Sequence, residues 1–286
     1  KTYTEAEENK NDFFTIKLPW EVHPERDDDW FEKETRNMSR REIAQELQCN
    51  FNASGETVVH GDDLKRILDT ISDPQHKTGF DRNYWIWEEP QEHRDYLLVA
   101  DVARGDGSDF SVAHVFDIQT MTQVAEYQGK ITPDMFASLL FSIGSEYNDA
   151  LLVIENNSLG IGVLSRIQEA EYKNLYYSIK STHEYVDEVT AGSLGGVAGF
   201  TMSMKTRPLV IAKFEEFIRN KLININSMRT VNEMKTFVWH NGRPQAMRSY
   251  NDDLVIAACI GCWVRDTALT VNKREKRSLK SQLARP

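Results

Sequence analysis

Three acidic sites in this chain each stand where an apolar run stops or starts. Asp101 closes Tyr96-Leu97-Leu98-Val99-Ala100, with Asp109 eight residues further on. Glu155 closes Leu151-Leu152-Val153-Ile154, and the pair Asp252-Asp253 opens the apolar stretch 254–264. A single acid at the end of an element is ordinary. Three sets at the ends of two strands and one helix constrain the fold, because they act together only if the chain folds those ends to one place.

The pattern around them is specific. Residues 96–102, 110–118 and 122–127 are β-rich runs joined by short polar turns, which reads as a meander of three antiparallel strands. Pro133 opens a helix to about Tyr147, with Met135, Leu139, Leu140 and Ile143 at helical spacing. A buried strand at 150–155, a helix at 159–169 and a short strand at 175–179 follow. Pro208 sits in the first turn of a helix whose Ile211, Phe214, Ile218 and Leu222 share a face. Residues 223–225 read as a short strand and 228–240 are ambiguous. Asn241-Gly242 is a turn signal, and the last helix covers 252–266. The order βββ-α-β-α-β-α predicts an α/β fold of the ribonuclease H-like plan. Its mixed sheet has three antiparallel strands and then parallel ones, with flanking helices. In that plan the first and fourth strands are neighbours, so Asp101 and Glu155 stand side by side with the last helix across them.

Residues 1–90 read as a helical and linker segment, 91–270 as the main domain and 271–286 as a basic, disordered tail. Short helices are expected at 27–37, at 39–47 behind the capping box Ser39-Arg40-Arg41-Glu42, and at 62–68. Residues 72–82, with Pro74 and Gly79, read as a linker. Residues 180–206 carry four glycines and read as a long loop or hairpin, expected to gate the acidic centre.

At 286 residues with 40% hydrophobic side chains the chain has material for a sizeable core. No apolar run approaches the roughly 18 residues needed to span a bilayer. The start Lys1-Thr2-Tyr3-Thr4 is no signal peptide, and without an initiator Met it suggests a fragment or processed product of a cytosolic protein. Three cysteines fit a reducing compartment, and the Cys259-x-x-Cys262 pair, inside an apolar stretch, reads as buried thiols rather than zinc ligands.

The net charge of −10 argues against a simple basic nucleic-acid binder, but its distribution is uneven. Residues 199–250 hold nine Lys/Arg against three Asp/Glu. That run reads either as a solvated face or as a surface that tracks phosphates beside an acidic centre.

Carboxylates brought together from three elements form a candidate two-metal site for phosphoryl chemistry. Hard oxygen donors suit Mg²⁺ or Mn²⁺. Asp101, on a central strand, is the expected bridging ligand; Glu155 and Asp252 complete one shell each, and Asp109 or Asp253 adds a ligand or orients a water. Each acid also has a plainer role. Asp252 or Asp253 serves equally as a helix cap, Glu155 as a strand-end residue, and Asp106 with Asp109 as a hairpin turn. The seven histidines show no ligand spacing, and the cluster Tyr84-Trp85-Ile86-Trp87 reads as core or docking surface. No G-x-x-x-x-G-K-[ST] phosphate loop is present.

Taken in order, Leu97-Leu-Val-Ala-Asp101-Val-Ala-Arg-Gly-Asp-Gly-Ser-Asp109, Leu151-Leu-Val-Ile-Glu155-Asn-Asn-Ser-Leu-Gly160 and Tyr250-Asn-Asp252-Asp253-Leu-Val resemble the nuclease domain of tailed-phage terminase large subunits, the T4-like branch above all. The segment Trp20-Glu-Val-His-Pro-Glu-Arg-Asp, with Gln45-Glu-Leu-Gln-Cys-Asn-Phe, resembles the stretch that joins that family's ATPase domain to its nuclease. The resemblance implies a metal-dependent endonuclease that cuts double-stranded viral concatemer DNA during packaging, in the host cytoplasm. It implies as partners duplex DNA, the terminase ATPase domain, the small terminase subunit and the portal protein, and no membrane. It implies Asp101, Glu155 and Asp252 as catalytic metal-bearing positions, Asp109 as a further acid, and Lys205 and Arg207 near DNA. The alternatives are a Holliday-junction resolvase or ribonuclease of the same fold, or a docking module without catalysis.

Overall fold

The structure is a computed structural model. It describes residues 12–16, 18–35, 47, 49, 57–105, 107, 109–157, 159–180, 186–189, 196–240 and 243–265. Residues 39–46 of the expected helix at 39–47 and the basic tail lie outside the described residues, as do Asp106 and the turn at 241–242.

The centre of the molecule is a six-stranded mixed sheet in the order β1-β2-β5-β4-β3-β6. Its strands are β1 (His76–Thr78), β2 (Tyr84–Ile86), β3 (Tyr96–Asp101), β4 (Ser111–Asp117), β5 (Thr122–Gly129) and β6 (Leu151–Ile154). All neighbours are antiparallel except β3 and β6, which run parallel with Ala100 opposite Ile154. The sequence expectation for the meander and for the pairing of the first and fourth strands holds.

Alternate residues of β3 enter two different cores. Leu97 and Val99 face a layer built from α2 (Gly61–Leu68), α5 (Thr206–Arg219), α6 (Met228–Thr236) and α7 (253–265). Leu98 and Ala100 face α3 (Pro133–Glu146) and α4 (Gly160–Glu169). A strand covered on both faces has no polar side to show, which explains the unbroken apolar run. Burial of such side chains is worth about 1.5–3 kcal/mol each and sets the register of the sheet. Helix α7 lies close against the sheet because Gly261 has no side chain. A Cβ there would come within 3.3 Å of Val99 Cγ2 and 3.4 Å of Phe116 Cε2.

Several local expectations change. Residues 72–82 are not a linker, since β1 and β2 form a hairpin that extends the sheet beside β5. The chain turns between them at Gly79, whose φ of 78° is open to glycine. Tyr84, Ile86 and Trp87 are buried as core, and Trp85 lies between the cations of Lys77 and Arg229 at 4.5 and 3.7 Å. The stretch 57–68 also packs inward, with Val58, Val59, Leu64 and Ile67 in the α5–α7 layer. α1 (Asp28–Thr35) appears where a helix was expected. The ambiguous span 228–240 resolves into α6 and the first strand of a hairpin, β10 (Phe237–His240) with β11 (Arg243–Ala246).

The expected loop at 180–206 is pinned at both described ends. β7 (Tyr177–Lys180) pairs with β8 (Val186–Val189) and β9 (Val197–Ala198). Phe200 then lies along the outer edge of β6, its N–H donating to Ile154 O at 2.8 Å while Asn156 N–H donates to Phe200 O at 2.9 Å. Gly199, at φ 78°, backs onto the Ile154 carbonyl, where any Cβ would overlap it. Residues 197–200 of the segment expected to gate the acidic centre are thus hydrogen-bonded along the edges of β7 and β6. Leu222 is 41% exposed and does not share the buried face of Ile211, Phe214 and Ile218. Cys259 and Cys262 are buried and form no disulfide. No described helix is long and apolar enough to cross a membrane.

Candidate active site

The end of the sheet where β3 and β6 stop gathers the acids named from the sequence. Asp101 is the last residue of β3, and its Oδ1 accepts the Val102 N–H at 2.8 Å. Glu155 follows β6, and its N–H donates to Ala100 O at 3.1 Å. That bond continues the β3–β6 register by one residue, so Glu155 stands beside Asp101, and their carboxyl groups share a hydrogen bond. The next two residues fix the turn. Asn156 Nδ2 donates to Ala198 O and Thr201 Oγ1, while Asn157 Oδ1 accepts the first free amides of α4 from Leu159 and Gly160 at 3.1 and 2.8 Å.

Gly160 is tied to the same turn, because a Cβ on it would overlap the carbonyl oxygen of Glu155. Gly160→Ala should therefore displace Glu155 and lower stability by about 1–3 kcal/mol, as overpacking does. Thermal unfolding checks this, and an unchanged midpoint would show that the turn relaxes freely.

The third acidic site arrives on α7. Asp253 Oδ2 accepts the Phe110 N–H and the Asn251 side-chain amide, both at 3.1 Å. Phe110 opens the way into β4, so this contact brings exposed Asp109 to the same end, and its charge acts on Asp253. Asp252 Oδ2 pairs with Arg207 Nη2 at 3.0 Å. Arg207 stands in the first turn of α5, which Ser203 and Thr206 close reciprocally: Ser203 N–H donates to Thr206 Oγ1 at 2.8 Å and Thr206 N–H to Ser203 Oγ at 3.1 Å. Lys205, the residue just before α5, is exposed.

This crowding moves protons. Burial, then the charges of Glu155 and Asp253, raise the Asp101 carboxyl well above the usual range. Burial also raises Glu155, against the hydrogen bond from Asp101 and the opposing Arg207 charge. Burial raises Asp253, with Asp109 and Asp252 adding to it. Among the described residues, no three His, Cys, Asp or Glu side chains already surround a common point as a metal site does. The reason is visible in the partners: Asp252 faces Arg207, Asp253 faces the Phe110 amide, and Asp101 and Glu155 face each other.

Sequence reasoning missed Glu233. This residue of α6 is 8% exposed and accepts the Leu254 and Val255 N–H groups on its Oε2 at 2.8 and 3.2 Å. Burial and the Asp253 charge push its pKa up to about 8. A local signal existed: Thr230, Val231 and Met234 form the buried stripe of α6, and Glu233 falls inside it. The basic run at 199–250 is also partly committed. Arg229 Nε donates to the buried Glu126 at 2.7 Å, Lys213 lies 3.3 Å from Glu216, and Arg207 holds Asp252. A cleft of about 530 Å³ lined by Phe80, Tyr84, Tyr127 and Glu146 lies elsewhere and contains none of the five acids.

No protein-family model matches the sequence, and no curated protein matches it. Solved structures do. The magnesium-bound large terminase nuclease of thermophilic phage G20c superposes with a TM-score of 0.54 at 15% identity, over 72% of this chain and 96% of that one. Its cobalt-bound form gives 0.55 at 15% identity over the same shares. A further structure of that nuclease gives 0.50 at 14% identity, over 69% of this chain and 95% of the other. With its mixed sheet and flanking helices, the chain has the ribonuclease H-like fold of phage large terminase nuclease domains.

Proposed function

We propose that this chain is the nuclease region of a large terminase, a divalent-metal-dependent endonuclease that cuts double-stranded viral concatemer DNA during genome packaging. The observation that carries the proposal is the convergence of Asp101, Glu155 and the Asp252-Asp253 pair at one end of the sheet, where burial raises the pKa values of Asp101, Glu155 and Asp253. Arg207 is the cation paired with this carboxylate cluster in the geometry above, and the cluster's oxygen donors suit Mg²⁺ or Mn²⁺. When bound, two such ions supply an activated water and charge compensation at the attacking and leaving oxygens.

The chain's own residues divide the remaining work. Asp101, fixed by the central strand, holds the shared position; Glu155 and Asp252 each complete one side, and Asp109 or Asp253 orients the water. Arg207, released from Asp252, and Lys205 supply positive charge toward a phosphate. Duplex DNA, a terminase ATPase domain, the small subunit and the portal are the proposed partners, in the host cytoplasm. Residues 1–90 are the proposed junction to the ATPase domain, 91–270 the nuclease and 271–286 a basic tail.

The Arg207–Asp252 pair favours a second reading, a docking module whose acids are structural. Incubation with supercoiled plasmid separates the two. Nicking and linearisation with Mg²⁺ or Mn²⁺, absent with EDTA, is the expected result; intact plasmid and no metal-induced thermal shift would leave the docking module. Arg207→Gln should bind Mn²⁺ more tightly by calorimetry, since the cation no longer displaces a guanidinium. It should lose about 1 kcal/mol of metal-free stability, because Asp252 is left without its partner. Unchanged metal affinity would show that Arg207 does not compete for the site.

A further inference from the structure

We infer that Glu233 is a positioning residue of the acidic centre: it caps α7 from a neighbouring helix and so leaves the Asp252 and Asp253 carboxylates turned toward the site. The metal role of those two acids rests on the function proposed above.

A helix start leaves its first amides without intrahelical partners, and the residue just before the helix normally satisfies them with its own side chain. Asp252 has the backbone place of such a cap, since its carbonyl accepts the Ile256 N–H at 2.8 Å. Its carboxylate nevertheless goes to Arg207, and that of Asp253 goes to Phe110 and Asn251. The Leu254 and Val255 amides are taken by Glu233 instead.

A buried Glu is a costly cap where an Asp already stands in the capping place. The arrangement makes sense if the local Asp is needed elsewhere. Without Glu233, the two amides would draw the Asp252 carboxylate back onto its own helix. Two further contacts fix this helix start against the sheet that carries Asp101. Gln128 of β5 donates to Glu233 Oε1 at 3.2 Å, and His114 of β4 places Nε2 2.9 Å from Leu254 O. The His114 ring is fixed in turn by Gln123, whose side-chain amide lies 2.8 Å from Nδ1. Burial lowers the His114 pKa, so the ring is neutral and its Nε2–H donates.

Two conservative variants of the full chain separate the cap from the carboxyl group. Glu233→Gln keeps an acceptor at the same reach, with Gln128 turning its amide to match. Glu233→Asp keeps a carboxyl group but withdraws the acceptor by one methylene. Mn²⁺ affinity, read by calorimetry, should be little changed in Glu233→Gln and weaker by about 10–100-fold in Glu233→Asp, the range that loss of a supporting partner produces. The reverse ranking, or a melting shift in Glu233→Asp with normal Mn²⁺ affinity, would overturn the inference. If Glu233→Asp does not fold, Glu233→Gln decides: normal affinity supports the cap and lost affinity overturns it. Amide hydrogen exchange at Leu254 and Val255 supplies a readout independent of metal. Protection in the wild type that is lost in Glu233→Asp supports the cap even if the wild type binds no Mn²⁺, an outcome that would sink the metal reading alone. Fast exchange there in the wild type would overturn the cap itself.

Discussion

Asp101→Asn should remove Mn²⁺ binding and plasmid cleavage while making the metal-free chain more stable. The two effects share one cause. Asp101 is packed against Glu155 and within reach of the Asp253 charge, and burial raises its carboxyl pKa before either neighbour is counted. An amide of the same shape removes the like-charge repulsion, and relief of this kind at a functional centre is worth about 0.5–2 kcal/mol. Under the proposed function the same substitution also removes the position that two cations would share. Cleavage should fall by more than the roughly 10–100-fold typical of losing a supporting partner. Thermal melts with and without Mn²⁺ read both halves. A metal-free midpoint that drops would show that Asp101 is a structural acid, held by contacts other than its neighbours' charges.

Acidification should stabilise the metal-free chain, and Glu233 should account for much of the upper part of that response. Asp101, Glu155, Asp253 and Glu233 all hold protons more tightly folded than unfolded. Their stabilising contribution is fully present below the unfolded values and is lost as pH rises through the folded ones. For Glu233 the window runs from its ordinary value of 4.5 to about 8. Glu233→Gln should flatten the decline across that window by on the order of 4 kcal/mol. Saturating Mn²⁺ should flatten the wild-type decline as well, because cations then supply the charge that protons supplied. Denaturant melts at half-unit steps from pH 5 to pH 8 check this. A wild-type stability that rises steadily with pH would contradict the burial of these acids.

The parts of the fold that were legible are those whose signal is local. β3 and β6 announce themselves as apolar runs because both of their faces are covered, and Pro133 marks the start of α3. The acidic positions were legible as strand ends and a helix start. The placing of Asp101 beside Glu155 followed from the strand order, and the Ala100–Ile154 register agrees with that adjacency. The β1–β2 hairpin was hidden because each strand is three residues long and flanked by Pro74 and Gly79, so no period could develop. Sequence separation hid the rest. Glu233 caps a helix 21 residues away, and Arg207 pairs 45 residues away. Contacts of that kind have no spacing rule, so only the folded chain displays them.

If the acids at the end of β3, at the end of β6 and at the start of α7 form one metal centre, anomalous diffraction from a crystal soaked in Mn²⁺ will locate the ions there. Peaks are expected among Asp101, Glu155 and Asp252, with Arg207 swung away from Asp252. Peaks elsewhere, or none while Arg207 stays on Asp252, would rule that centre out.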